Sequence, residues 1–593
     1  MGEETAKRPE LQMTTCPDGS LLIRQGAELP TPGRTMTDRL LHWAELDPDR
    51  LWIAERAADG TWRRMTYGQG AQAIRGVGAG LLASGLSAER PLLILSGNSI
   101  AHAVMTLGAQ IVGVPSAALS PAYALSGEDR GKLAQVVAQL TPGMVFADHA
   151  ARYLPAIAAT LAPDIPLVCL SGGGGRPVLA FDALCRTEWG AEAHAAYQAV
   201  GPQTVAKFLF TSGTTGSPKA VIQTHGMLCA NQTMVELAYD FLAEEPPVLV
   251  DWAPWNHTAS GNKVFNMAIQ HGGAYYIDDG RPTPDGIART LRNLREVAPT
   301  WYFNVPLGFQ HLIEAIEADE TLAAHFFSRL RMLMYAGAGM SQPVWDRLSA
   351  LARKHGRPDL PIVSGLGATE TGPFALYHAD RKEGPGNIGI PAVGVTLKLV
   401  PQEGKLEARL KSPSITPGYW RDPGLTAQAF DEEGFYKLGD ALRFAVPGDA
   451  SAGFVFDGRL AENFKLASGT WVTVGPLRTA LVDAMGGLIS DAVIAGEGRD
   501  DLRALLVPNW AALGGGPEAR ALLARRLADH AARATGSASR IVAAMVLVEP
   551  LNFDRGEVTD KGSVNQRAVL RERADLVAAL WSDAPDVIRI EEA

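Results

Sequence analysis

Apolar residues in this chain fall into short runs that alternate with stretches of helical spacing. Residues 91–95, Pro-Leu-Leu-Ile-Leu, form one continuous run and predict a buried strand. Just downstream, Ile100, Val104, Leu107 and Ile111 share one helical face. Further strand-like runs lie at 143–147, 166–170, 248–252, 274–277, 300–305, 331–336 and 361–364, and helical stretches such as Ile287, Leu291 and Leu294 separate several of them. Strands alternating with helices predict parallel α/β sheets that receive ligands at strand ends. From about 389 to 457 the runs shorten, as at 397–400 and 406–410, and predict a β-rich subdomain. Beyond 458 lies a stretch the size of one small α+β domain, with strands at 492–494 and 502–507 and an Ala/Arg-rich helix at 517–535. The fold class is therefore α/β: a large N-terminal domain of layered sheets at 37–457 and a small C-terminal domain at 458–593. Residues 1–36 lack such a pattern and are expected to be a poorly structured lead-in, with Thr37 as the N-cap of the first helix.

Composition narrows the partners. The net charge is −10, from 54 basic and 64 acidic residues, which gives no global attraction to nucleic acid or an anionic membrane. Any phosphate must therefore be held by positive charge gathered locally. The most apolar region, 91–119, is interrupted by Asn98, His102 and Gln110, so it reads as buried strand–helix–strand and not as a membrane span. Cys16, Cys169, Cys185 and Cys229 show no C-x-x-C spacing, which argues against a disulfide framework or zinc site and fits a reducing compartment. The first ten residues are charged and lack the apolar core of a signal peptide, so a cytoplasmic location is expected. Oligomeric state is left open, a homodimer among the options.

The stretch with the densest chemistry runs from Lys207 to His225. An apolar run at 208–210 enters Thr211-Ser212-Gly213-Thr214-Thr215-Gly216-Ser217-Pro218-Lys219, and a second apolar run follows at 220–222. Glycines let backbone N–H groups converge on an anion, and the hydroxyls and one ammonium add donors. The order differs from the P-loop, in which Lys directly follows the second Gly. A flexible linker is the plain alternative, but linkers are seldom flanked directly by strands.

Other segments fit beside it. Ser364-Gly365-Leu366-Gly367-Ala368-Thr369-Glu370-Thr371-Gly372 places a carboxylate in a Gly-rich turn after a strand, where it could hold Mg²⁺ beside phosphates or be a solvated turn residue. Gly337-Ala338-Gly339 is a small-residue strand end that lets a flat ring lie close to backbone, or that serves tight packing. Asp440, in Tyr436-Lys437-Leu438-Gly439-Asp440, can accept bonds from ribose hydroxyls or close an Asx turn.

The 211–219 segment resembles the signature loop of the adenylate-forming superfamily, which comprises acyl- and aryl-CoA ligases, luciferases and peptide-synthetase adenylation domains. Six segments match its motifs in order, from about Thr37 to the end. The resemblance implies ATP or AMP binding by Thr211, Ser212, Gly213, Thr214, Thr215, Gly216, Lys219, Gly337, Ala338, Gly339, Gly367, Ala368, Thr369, Asp440 and Arg459, with Glu370 on Mg²⁺. Leu366 stands where many members carry an adenine-stacking aromatic. Phe456 to Lys465 resembles the inter-domain hinge, with Gly458, Ala461 and Lys465 on the moving face of a mobile C-terminal domain. Glu557 to Ser563 resembles the loop of the catalytic lysine, here Lys561. His257 matches the position that meets the substrate carboxylate or gates the acyl tunnel. The Trp255-Asn256-His257-Thr258 and Tyr276–Pro284 segments look most like the feruloyl-CoA synthetase branch. Trp255, His257, Asn262, Tyr302, Phe303, Gly337 and Gly339 are then the expected acid pocket. The implied reaction joins a hydroxycinnamic acid such as ferulate or 4-coumarate to coenzyme A, with ATP as co-substrate and no prosthetic group. A benzoate- or fatty-acid-type ligase, an adenylating enzyme with another acceptor, and a nucleotide-binding regulator without turnover are the alternatives.

Overall fold

The computed structural model describes residues 9–125, 130–171, 177–212, 217–283, 285–378, 384–402, 404–552, 555–558 and 564–590. Two seven-stranded sheets stand at its centre. In the first, Pro218–Thr224, Val205–Ser212, Ser116–Ala118, Leu92–Leu95, Met144–His149, Leu167–Ser171 and Val178–Ala180 lie side by side. The strands run parallel except Pro218–Thr224, which turns back antiparallel on Val205–Ser212. In the second, Ile362–Val363, Met332–Tyr335, Trp301–Asn304, Val248–Asp251, Ala274–Ile277 and Leu51–Arg56 are parallel, and Trp62–Thr66 closes the edge antiparallel.

The two-residue period of a strand sorts the side chains into layers. Leu92 and Ile94 enter the central core, while Leu93 and Leu95 enter an outer core under Gly131–Leu140 and Ala150–Thr160. Trp301 and Phe303 likewise face the centre, and Tyr302 faces an outer core under Pro306–Ala318 and Glu320–Ser328. Between the sheets lie Tyr67–Ala83 and Ile100–Ile111, both largely buried. Helix layers therefore alternate with sheet layers, the arrangement the strand–helix alternation predicts. The 91–119 region is strand, helix and strand, and among the described residues no helix is long and apolar enough to cross a membrane.

A third sheet has nine strands. It holds the expected β-rich stretch, with Asn387–Pro391, Thr396–Gln402, Lys405–Lys411, Tyr436–Val446 and Asp449–Arg459 all paired antiparallel. Residues from Phe464 onward build cores of their own, around a four-stranded sheet of Ile489–Ala495, Leu502–Pro508, Ile541–Val546 and Ile588–Arg589. The whole is a mixed α/β protein with a large N-terminal and a smaller C-terminal part.

Two expectations need correction. Residues 1–36 are not all an unstructured lead-in: Leu11–Thr15 and Leu21–Gln25 form a hairpin, and Leu21–Gln25 pairs with Thr396–Gln402. A short strand whose partner lies far along the chain leaves no local signal, because its hydrogen bonds are satisfied non-locally. The first helix, Met36–Leu46, is capped by Thr35 and not Thr37; Thr35 Oγ1 accepts from Asp38 N at 3.0 Å.

Ile23 is fully buried within the central core. Ile23→Ala is expected to lower unfolding stability by about 2–5 kcal/mol, read by denaturant titration. A change within experimental error would return this segment to the status of a detachable leader.

Candidate active site

The turn between Val205–Ser212 and Pro218–Thr224 carries the proposed phosphate loop. Thr211 pairs across to Lys219, so both stand at the turn end of the hairpin. Gly213, Thr214, Thr215 and Gly216 lie outside the described residues; Ser212 is the last residue of its strand. The Lys219 ammonium sits 5.8 Å from the centre of the Tyr419 ring. The Tyr419 hydroxyl in turn donates to Glu370 Oε1 at 2.9 Å and lies 3.4 Å from the Tyr436 hydroxyl. Lysine, tyrosine pair and carboxylate thus meet across elements far apart in sequence.

Glu370 belongs to the single helical turn Thr369–Thr371. The Thr371 hydroxyl accepts from Ala368 N at 2.8 Å and fixes the start of the turn. Gly367 allows the chain to pass there: a Cβ on it would fall 1.3 Å from the Pro373 carbonyl oxygen. Behind the turn, fully buried Gln223 donates to the Thr369 carbonyl at 3.0 Å and accepts from Asn262 Nδ2 at 2.9 Å. Asn262 also reaches Thr258 Oγ1 at 3.1 Å and the Gly372 carbonyl at 3.3 Å. One amide pair therefore ties the hairpin strand, the Glu370 turn and the 259–264 segment together.

That segment, Ala259–Val264, is a single π-helical turn, a feature frequent at functional sites. Lys207, buried in the hairpin strand, donates to the Gly261 carbonyl at 2.7 Å, and burial pushes its ammonium down to about 7. His257 is partly exposed at the entry to the turn, where its carbonyl accepts from Gly261 N. Gly337, Ala338 and Gly339 are exposed past the strand Met332–Tyr335, with open space beside Gly339. Leu366 forms the short strand Gly365–Leu366, which runs antiparallel to Leu376–Tyr377.

Asp440 lies on Tyr436–Val446 and pairs with Arg459 across the sheet; Arg459 Nε is 3.7 Å from its carboxylate. Burial pushes the Asp440 carboxyl up to about 6, Arg459 pulls it down, and Glu462 and Glu370 add to the rise. Gly458 precedes Arg459 at φ +92°, a conformation that suits glycine. Ala461 and Lys465 follow, both exposed, with the Lys465 ammonium 5.0 Å from the Trp471 ring centre. Lys561 lies outside the described residues.

Part of the expected acid pocket is already occupied by the protein. Tyr302 is fully buried on the outer face of its strand against Phe309 and Phe326, and its hydroxyl accepts from Asn304 Nδ2 at 3.0 Å. The strand period that turns Phe303 inward turns Tyr302 away. Trp255 donates to the Tyr275 hydroxyl at 2.9 Å and packs on Phe265 and His102. That hydroxyl and Ser260 Oγ both donate to Asp251, whose carboxyl burial raises to about 6. Trp255 is thus a packed part of the core, and Asn262 Nδ2 is spent on the clamp described above. Gln223 and Tyr419 escape sequence reasoning; a lone glutamine in an apolar strand is the one local signal that marks Gln223.

Comparison with known proteins adds a family. A family model described as "AMP-binding enzyme" matches residues 40–420, and one described as "AMP-binding enzyme C-terminal domain" matches 464–585. A 3-hydroxybenzoate–CoA ligase of Aromatoleum sp. (strain CIB) is 26% identical over 455 residues, 74% of this chain and 80% of that protein. A feruloyl-CoA synthase of Amycolatopsis sp. is 29% identical over 259 residues, 42% of this chain and 49% of its own length. The crystal structure of an anthranilate CoA ligase in complex with anthranoyl-AMP superposes with a TM-score of 0.71 at 20% identity, over 93% of this chain and 99% of that one.

The Asp440 carboxyl makes adenosine binding pH-dependent if it accepts the ribose hydroxyls. With its value raised to about 6, the charged acceptor prevails above that pH and the protonated acid below it. Discrimination between adenosine and its 2′- and 3′-deoxy analogues is expected to be largest at pH 7–8 and to fade below about 6. Calorimetric titration across that range checks this. A pH-independent ratio would remove Asp440 from the ribose site.

Proposed function

The chain belongs to the AMP-binding enzyme family, and on that premise we propose that it is an ATP-dependent acid–CoA ligase whose acid is a hydroxycinnamate such as ferulate or 4-coumarate. The observation that carries the adenylation reading is the convergence of Lys219, Tyr419, Glu370 and Tyr436 from distant segments, with Asp440 on the same strand as Tyr436. No single segment of sequence would assemble it.

In the proposed first half-reaction a carboxylate oxygen attacks the α-phosphorus of ATP. The bond to pyrophosphate breaks, and acyl-AMP remains. Thr211 and Lys219 with the 212–216 loop would hold phosphate oxygens, Thr369 would bond the α-phosphate, and Asp440 with Arg459 would hold the ribose. Glu370 fits a magnesium ion, since that ion commonly takes one or two carboxylates and completes its shell with water and substrate phosphates; bound there it would neutralise phosphate charge. Lys561 would supply an ammonium to the charge that builds on the phosphorus oxygens. In the second half-reaction the coenzyme A thiol attacks the acyl carbon and AMP leaves. Gly458, already in a conformation proline cannot adopt, is suited to pivot between the two states, with Ala461 and Lys465 on the turning face.

Support for an aromatic acid comes from Phe303, which stacks on Trp301 at 6.2 Å between centroids, and from the open backbone at Gly337 and Gly339. Flat slots with few polar groups suit flat acids. A benzoate-type acid is the second reading, favoured by the relative that covers 74% of this chain.

Lys561→Ala is expected to slow acyl-AMP formation by about 10²–10³-fold while sparing thioester formation from supplied acyl-AMP; equal loss in both halves would show that the residue is misassigned. Ferulate and 4-coumarate are expected to exceed cinnamate, benzoate and a medium-chain fatty acid in kcat/KM, measured by pyrophosphate release with and without coenzyme A. Preference for the fatty acid would refute the aryl reading and leave the adenylation chemistry standing.

A further inference from the structure

Lys263 belongs to none of the motifs read from the sequence, yet it is a cation buried in the interior of the protein. It lies in the π-helical turn Ala259–Val264 and is 3% exposed. Its ammonium contacts Met334 Sδ at 3.1 Å. Three rings surround it, with centres at 4.4 Å for Phe374, 5.5 Å for Tyr239 and 6.0 Å for Trp301. Among the described residues no carboxylate forms an ion pair with it. Burial alone pushes the ammonium down to about 7.

The surrounding rings carry polar atoms in the same condition. Buried Tyr239 Oη and Trp301 Nε1 have no hydrogen-bond partner among the described residues. An ammonium and an indole N–H are donors only, and a phenol can donate, so the cluster is rich in donors, and the one acceptor bonded to them is the weak thioether sulfur of Met334. Leaving such groups unmet costs free energy, and burying an unpaired ammonium costs more. Aromatic faces stabilise the cation in part but accept none of its hydrogen bonds conventionally. A Met in that place would fill the same space at less cost. What the cluster lacks is an anionic oxygen.

Its position says whose. Trp301, one wall, stacks on Phe303, and Met334 is on the strand that leads to Gly337 and Gly339. Asn262, the residue before Lys263, is held against Gln223 and Gly372 beside the Thr369–Thr371 turn. The same π-helical turn therefore touches the proposed reaction site on one side and the donor cluster on the other. Met334, an unbranched and adaptable side chain, occupies the spot next to the ammonium that an entering group would take.

We propose that Lys263, with Tyr239 and Trp301, is the specificity-determining site for the acid, and that it takes a second acidic oxygen group, a phenol held as phenolate or a second carboxylate, at the far end of an aromatic acid. This rests on the acid-adenylating reading and sharpens it: of the expected pocket residues, Tyr302 faces away, and Asn262 has its amide nitrogen committed to Gln223, Thr258 and Gly372, which leaves only its Oδ1 without a partner. A site built to bond a polar group rejects the analogue without it strongly, because its own buried groups are then left unpaired.

The test compares wild-type protein with Lys263→Met and Lys263→Arg. Pyrophosphate release is measured with 4-coumarate, 4-carboxycinnamate, 4-methoxycinnamate and cinnamate. Wild type is expected to favour the better of the first two over cinnamate by about 10²-fold or more in kcat/KM. In Lys263→Met that ratio is expected to fall below about 10, with partial return in Lys263→Arg. Which of the first two acids leads identifies the phenolate or the carboxylate. Thermal melting of the free protein separates a structural role: Lys263→Met is expected to melt at the same or a higher temperature. An unchanged ratio, or a uniform loss over all four acids with a lower melting temperature, would overturn the assignment. If wild type releases no pyrophosphate with any acid, the aryl-ligase reading fails. The same four acids are then titrated by thermal shift without ATP. Stabilisation by an acid with the second group, lost in Lys263→Met, would still support the pocket, and its absence in wild type would overturn it.

Discussion

Gln223 holds the site together. Fully buried one residue short of the end of its strand, it has its carboxamide nitrogen on the Thr369 carbonyl and its oxygen on the Asn262 amide. Three segments that must agree in position, the phosphate-loop hairpin, the Glu370 turn and the π-helical turn, are fixed by one side chain. In a dry interior each of these bonds resists breaking, because a freed partner would keep its desolvation cost of about 1–3 kcal/mol. Ser414 extends the bracing by donating to the Thr371 carbonyl at 3.0 Å. The turn that carries the candidate metal carboxylate is thus positioned from behind, which leaves Glu370 itself to face Tyr419.

The electrostatics follow from the same geometry. An acidic protein must assemble its positive charge locally, and here two of the buried lysines, Lys207 and Lys263, contact or lie in the π-helical turn. Lys207 spends its ammonium on the Gly261 carbonyl and so ties the turn to the hairpin strand. Lys263 meets only sulfur and aromatic faces. Burial drives both toward neutrality, but only the first has its oxygen acceptor already in the fold. The carboxyls of Asp251 and Asp440 are raised for the same physical reason, and their partners differ: two hydroxyls anchor Asp251 in the core, while Asp440 faces Arg459 across the sheet.

Sequence alone determined the α/β layering and the segments that carry the candidate nucleotide chemistry, because both are written in contiguous residues. Alternation of 91–95 with Ile100–Ile111 follows from local periodicity, and Thr211 to Lys219 or Gly367 to Gly372 keep their small residues wherever the chain takes them. The tertiary structure alone decided what depends on partners distant in the chain. The Leu11–Thr15 and Leu21–Gln25 hairpin joins the large sheet only because Thr396–Gln402 offers Leu21–Gln25 an edge. Tyr302 and Trp255 look like pocket residues in the sequence, yet the strand pleat and the Asp251–Tyr275 hydroxyl network turn them into core. Lys263 belongs to no sequence motif, and only the packing of Tyr239, Trp301, Met334 and Phe374 around it marks it out. Periodicity fixes which way a side chain leaves its own element; only packing fixes which groups it meets there, and whether its hydrogen bonds are satisfied by the protein or left for a ligand.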